Sequence, residues 1–179
     1  MTVLDRETLE KFVKLAGDRL EGDWVVIGGV VLPLLGAGQR VTVDIDIVGP
    51  EGSGNRETLA LMRIAERLGL PVEAVNQAGS HFLHRIAGWR KQIVPLHEGR
   101  SATIHRPSVT LFILLKMSRL SESDLADCLA FLDLARSLGE RPDVKRILAS
   151  IAKQRRGKVL SSGKRDRMAI LAGRLREAT

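Results

Sequence analysis

The 179-residue chain contains no tyrosine, a single cysteine and only 3% aromatic residues. With so few rings, its core has to be assembled from Leu, Ile, Val and Ala. Little is left for the aromatic platforms on which single-strand nucleic-acid binders stack bases. Cys128 alone excludes an internal disulfide and a Cys-rich zinc site. His81, His84, His97 and His105 lack the HExxH spacing that would set two ligands on one helical face. No stretch approaches the roughly 18–20 apolar residues that span a bilayer. The opening MTVLDRETLEKF is charged and amphipathic, unlike a secretion signal. These absences predict a cytoplasmic protein without membrane contact.

Hydrophobic residues at 44% and charged residues at 27% are an ordinary globular balance. The length suits one domain with a small helical extension. The formal net charge of +7 is unevenly placed. From Arg141 to the C-terminus there are 12 Lys or Arg against 3 acidic residues, a local +9, which leaves 16 against 18 in the first 140. A near-neutral body with a basic tail suits contact with a polyanion. Lys153, Arg155, Arg156, Lys158, Lys164 and Arg165 are the candidate nucleic-acid contacts. A merely solvated helical face would have the same composition.

Leu9, Phe12, Val13, Leu15, Ala16 and Leu20 recur at helical spacing over residues 5–21, with Asp5 or Thr8 as cap. Residues 23–27 read as a buried strand closed by Gly28 and Gly29. The apolar run 30–35, broken by Pro33, reads as a helical turn or two. Residues 41–48 alternate strictly, with Val41, Val43, Ile45 and Ile47 on one face and Thr42, Asp44 and Asp46 on the other. A helix over 56–68 ends at Gly69 and Pro71. Residues 81–86 and 91–96 predict two strands joined at Ala87-Gly88. Helices follow over 107–120, 121–138, 142–154 and 164–178. The expected class is α+β, with a small mixed β-sheet and helices on one face over residues 1–106. A helical region, 107–179, would carry the basic tail.

Asp44 and Asp46, two apart on a strand, share a face, with side chains roughly 6–7 Å apart along it. They repel one another, and Asp is depleted in strands. A cation between them makes sense of the pair. Mg²⁺ is commonly held by one or two carboxylates together with substrate phosphates, and paired metals about 3.5–4 Å apart can serve both the attacking and the leaving oxygen. An exposed edge strand with an acidic outer face would look the same. Gly28-Gly29 after a buried strand lets the backbone approach a phosphate, and a following helix can turn N–H groups toward the anion. Taken singly, it is a tight turn. The combination is sharper: strand, Gly-Gly, short apolar helix, loop, then Arg40-x-Thr42-x-Asp44-x-Asp46.

The segment VVIGGVVLPLLGAGQRVTVDIDIV resembles the signature of the polymerase-β-type nucleotidyltransferase superfamily. More narrowly, it is similar to the bacterial group of AbiEii-type toxins and small nucleotidyltransferase-like proteins. The resemblance implies a polymerase-β-like fold in which Gly28 and Gly29 hold the triphosphate of an NTP. Arg40 and Thr42 would lie beside the phosphates, and Asp44 and Asp46 would be catalytic ligands of Mg²⁺ or Mn²⁺. A second stretch, LFILLKMSRLSESDLADCLAFLD, resembles that family's Lys-Arg-Asp-Asp helices, with Lys116, Asp124 and Asp127 in the matching positions. It implies that Lys116 helps the catalytic site from the helical half. From the residues alone, a Lys within an apolar run wants a partner or an edge to snorkel from. Asp124 and Asp127 could pair with Lys116 or Arg119, or simply cap their helix. The resemblance covers residues 5–135.

The implied activity moves a nucleoside monophosphate from the metal–NTP complex to a hydroxyl acceptor. A tRNA end would be the acceptor, and an antitoxin-like protein the partner in a toxin–antitoxin pair. One departure stands out. Many active members carry a third carboxylate on the strand after the hairpin, and here that strand reads KQIVPLH, with Gln92 where the acid would stand. Gln takes no proton and is a weak ligand. Glu98 in another register, or His97 as a base near neutrality, could substitute, although an exposed strand end explains both more simply. The alternative expectation is a catalytically degenerate module that binds nucleic acid or a protein partner.

Overall fold

The computed structural model describes residues 4–37, 43–50, 54–157 and 160–177. The chain divides into two compact units, Met1–Pro107 and Ser108–Thr179. Among the described residues no helix is long and apolar enough to cross a membrane.

In the first unit α1 (Arg6–Arg19) starts at Asp5, whose carboxylate accepts the Thr8 N–H at 2.8 Å. β1 (Gly22–Ile27) runs into a 3₁₀ turn, Gly28–Val30, and a single helical turn, α2 (Val31–Leu34). Then come β2 (Ile45–Val48), α3 (Asn55–Arg67) and the two-residue β3 (Val75–Asn76). A short α4 (Ser80–His84) and a 3₁₀ turn, Trp89–Gln92, lead to β4 (Ile93–Glu98) and β5 (Ala102–Pro107).

The five strands form one mixed sheet in the order β3-β2-β1-β5-β4. β1 is antiparallel to β2 and parallel to β5; β2 is parallel to β3, and β4 and β5 form an antiparallel hairpin. Trp24, Val26, Ile45, Ile47, Ala102 and Ile104 belong to a core shared with Leu9, Phe12 and Ala16 of α1 and Leu61, Ile64 and Ala65 of α3. Their alternation along each strand assigns them to one face. Each large aliphatic side chain buried there contributes roughly 1.5–3 kcal/mol. The single core tryptophan is also satisfied, because the Trp24 Nε1–H donates to the Glu21 carbonyl at 3.1 Å.

The hairpin lies later in the chain than the sequence pattern predicts. Residues 80–84 are helical, and the paired strands are 93–98 and 102–107. The reason is the spacing of Phe82, Leu83 and Ile86, which fits a helical turn as well as a strand. Tertiary contact selects the turn by burying Leu83 completely. Gly88, at φ +70°, then turns the chain into the 3₁₀ segment.

In the second unit Ser108 caps α5 (Val109–Met117) and Ser121 caps α6 (Glu122–Ala135), the latter through a capping box with Asp124. α7 (Val144–Gly157) packs on α5, and α8 (Ser162–Glu177) packs on α6 and α7. Phe112 and Phe131 meet edge to face at 5.0 Å between centroids.

Candidate functional site

The Gly-Gly turn and the Asp-x-Asp segment converge on one side of the sheet. Asp46 is the register partner of Ile27, the last residue of β1, so its carboxylate stands level with the Gly28 turn. Gly28 has φ +79°, and a Cβ added to it would meet Asp46 Oδ2 at 2.8 Å. Both facts demand glycine: an L-side chain is strained at that φ and would displace the carboxylate. Asp44 lies one residue before β2 and is exposed, while Asp46 within the strand is half-buried. Gly29 sits in the 3₁₀ turn next to Gly28. Arg40 and Thr42 lie outside the described residues.

The strand on the other side of Asp46 brings in residues that the sequence pattern did not single out. Asn76 is the register partner of Asp46 on β3. Its Oδ1 accepts the Ala78 N–H at 3.1 Å, a local turn that starts the chain back toward the sheet. That turn ends at Gly79, where an added Cβ would meet Ile27 Cδ1 at 2.2 Å and Asp46 Cβ at 3.9 Å. A side chain at Gly79 would therefore push into the same corner that Gly28 keeps open. The signal in the sequence was Asn-Gln-Ala-Gly-Ser after a short Val-rich stretch, a second glycine turn leading into a second short helix.

The candidates on β4 lie elsewhere. Gln92 is at the end of the sheet where β1 finishes, but three strand spacings, about 14 Å, to the side of β2. Its Oε1 is buried and accepts no hydrogen bond from a described residue. His97 and Glu98 pair with Ile104 and Thr103, which are level with Trp24 and Asp23 at the opposite end of β1. His105 shares the Asp46 face through its register with Val25, and its Nε2 is 2.8 Å from Asp23 Oδ1. Among the described residues no group of three His, Cys, Asp or Glu side chains could hold a metal ion. One carboxylate against a glycine turn, with a second exposed two residues before it, would suit a cation that arrives with its phosphates better than an all-protein cage.

Lys116 and its neighbours form a separate cluster within the second unit. The ammonium donates to Asp124 Oδ1 at 3.0 Å and to Asp127 Oδ2 at 2.7 Å, and all three residues are buried. Arg119 adds a two-pronged contact to Asp124, with both distances 2.7 Å, and the Ser121 N–H and O–H donate to Asp124 Oδ2. Burial alone would push the Asp124 carboxyl up. The Arg119 guanidinium, the Ser121 donors and Lys116 outweigh it and hold that carboxyl well below its ordinary value. Cys128 beside them is pushed up to about 12, chiefly by burial.

The basic tail is partly engaged with backbone carbonyls of its own unit. Lys164 Nζ donates to the Ser118 carbonyl at 2.6 Å, and Arg165 donates twice to the Leu160 carbonyl, at 3.2 and 3.0 Å. Arg167 Nε reaches the Leu120 carbonyl at 2.6 Å. Lys153, Arg155 and Arg156 are exposed on the last turns of α7, where Ala149, Ala152, Lys153 and Arg156 line a shallow groove of about 470 Å³. Lys158 lies outside the described residues.

A five-stranded mixed sheet, a Gly-Gly turn pressed on a strand aspartate and a helical second half are the build of a small nucleotidyltransferase fold. The chain belongs to the family described as Nucleotidyltransferase of unknown function (DUF6036), whose match runs over residues 4–154. Comparison with curated proteins and with solved structures gives no match.

Proposed function

We propose that this nucleotidyltransferase-family protein binds an NTP with Mg²⁺ or Mn²⁺ and transfers its nucleoside monophosphate to a hydroxyl acceptor. The observation that carries this reading is the Asp46 carboxylate set against Gly28, with no room for a side chain between them. In this reading the Gly28-Gly29 backbone receives the triphosphate, with Arg40 and Thr42 beside it. Asp44 and Asp46 would hold the metal, which when bound would neutralise phosphate charge. The acceptor oxygen bonds to that phosphorus, the α–β phosphoanhydride bond breaks, pyrophosphate leaves with the electron pair, and the hydroxyl proton passes to water. Asn76 stands next to Asp46 and takes no proton, so at that position the chain contributes placement and charge rather than a general base. Lys116 enters as a positioning residue that ties α5 to α6 through Asp124 and Asp127. RNA is the proposed acceptor, with Lys153, Arg155, Arg156, Lys158, Lys164 and Arg165 supplying positive charge. An antitoxin-like partner within a toxin–antitoxin pair completes the proposal.

A second reading is favoured by Asn76 itself, since the register partners of Asp46 on its two neighbouring strands, Ile27 and Asn76, are not acids. It is a degenerate site that binds without turnover. Incubation with each labelled NTP, Mg²⁺ and total tRNA separates the two. Label on RNA that disappears in Asp46→Asn supports transfer. Absence of label with every NTP, together with RNA binding that survives Asp46→Asn, removes the transfer reading and leaves the binding module.

A further inference from the structure

The six aromatic residues divide sharply. Phe12, Trp24, Phe112 and Phe131 are at most 1% exposed, whereas Phe82 is 51% exposed and Trp89 is half-buried. Leaving a large ring at the surface forgoes the stabilisation that burial would give it. Both rings fall in a stretch, Ala74 to His97, that has no Asp or Glu, and Arg85, Arg90 and Lys91 stand among them. Lone exposed rings need no explanation. Two rings interleaved with cations, in a chain otherwise so short of aromatics, call for one.

The topology places this stretch over the candidate site. β3 lies at one edge of the sheet beside Asp46, and β4 lies at the other edge. The chain between them therefore has to cross the sheet. It crosses on the Asp46 face, because Gly79 rests on Ile27, the register partner of Asp46. Leu83, fully buried, anchors α4, while His81, Phe82, His84 and Arg85 are exposed. The rings are also held. His81 meets Phe82 edge-on at 5.7 Å, the His84 ring lies 5.6 Å from Trp89, and the Arg90 guanidinium sits 4.5 Å over the Trp89 ring. Arg85 Nη1 lies 3.3 Å from His81 Nε2, which braces the outer side of α4.

We propose that α4 and the following 3₁₀ turn are a stacking platform for single-stranded nucleic acid, laid beside the Asp46 corner. Rings and guanidinium planes accept unstacked bases of any sequence, and duplex bases are not available to them. Two ring sites on successive elements, with three cations between and after them, address several nucleotides and the phosphates joining them. Binding rests on this surface alone. Only the use of the bound strand as acceptor rests on the function proposed above.

The test uses the full chain and labelled oligonucleotides of about ten nucleotides, as single-stranded RNA, single-stranded DNA and duplex, read by fluorescence anisotropy over a range of salt. Single strands should bind at least tenfold tighter than duplex. Phe82→Ala and Trp89→Ala should each weaken binding by roughly 5–100-fold, with the salt slope unchanged. Arg85→Ala should lower the salt slope by about one instead. Phe82→Leu, which keeps apolar bulk without a ring, should behave like Phe82→Ala, and Trp89→Phe should recover most of the loss. Trp24 is buried, so quenching of tryptophan emission by the oligonucleotide reports Trp89 and should vanish in Trp89→Phe. The platform is overturned if the double variant Phe82→Leu, Trp89→Leu binds single strands as the parent does, or if duplex binds equally well. RNA bound more tightly than DNA, or equally, supports it in either case. Asp46→Asn should leave oligonucleotide binding intact while removing Mg-NTP binding, so loss of the nucleotide reading and loss of the platform give separate results.

Discussion

Two pairs of aspartates invite comparison. Asp44 is exposed one residue before β2, and Asp46, half-buried within that strand, lies against Gly28 and Gly79. Asp124 and Asp127, three apart on α6, are buried around Lys116, with Arg119 and Ser121 completing the set for Asp124. The residue type is the same and the consequence opposite. The helical pair has its counter-charge built into the fold, so it reads as architecture. A buried ion pair of this kind adds little net stability over a hydrophobic substitute, but losing one partner strands a charge. Asp46 of the strand pair instead lies in a corner where neither Gly28 nor Gly79 has room for a side chain, and Asp44 is exposed just before the strand.

Lys116→Met should have the largest effect. It leaves two buried carboxylates without their ammonium and should cost about 3–5 kcal/mol in chemical denaturation. A loss below 1 kcal/mol would mean that the cluster is not what orders α5 and α6. Asp46→Asn should do the reverse, lowering transfer of labelled nucleotide by roughly 10²–10³-fold, in line with losing one preorganised electrostatic group, while stability stays within about 0.5 kcal/mol of the parent. If it unfolds the protein, the strand pair is structural too. Gly28→Ala should cost about 1–2 kcal/mol for its left-handed backbone, and more in Mg-NTP affinity, which calorimetry would resolve from the stability change.

The pH response should separate the pairs further. Asp124 titrates well below its ordinary value in the fold, so the unfolded chain binds the proton more readily. Its stabilisation is complete above the ordinary carboxylate range, near pH 4, and is lost as the pH falls through that range toward the native value. Denaturation midpoints measured from about pH 5 downward should drop less steeply in Asp124→Asn than in the parent, by at most one proton's worth, ~1.4 kcal/mol per pH unit. An identical slope in both would refute the assignment. The smallest effect concerns Cys128, which burial pushes up to about 12. A thiol reagent at neutral pH should label it only as fast as the protein unfolds.

Legibility differed from element to element. β1, the Gly-Gly turn and α6 are readable because each has a local cause: an apolar run, two glycines, and a serine followed by a helix-length run without Gly or Pro. β3 was not readable. Two residues carry no periodicity, and Val75–Asn76 is a strand only because β2 lies alongside to pair with it. β5 was missed for a related reason, since its partner β1 is far away in sequence and its own run, Ala102 to Pro107, mixes His, Arg and Thr with two aliphatics. The hairpin was displaced because a spacing that allows two structures is settled by what each would bury.

Short-range pattern and composition carry the class of fold, the glycine turn, the strand that holds Asp46 and the helical half with its excess of positive charge. Only the tertiary structure decided which residues stand beside Asp46, that Lys116 is enclosed by Asp124 and Asp127, and that Phe82 and Trp89 are left outside the core. Those are questions of strand order and burial, and they depend on pairings between segments that lie far apart along the chain.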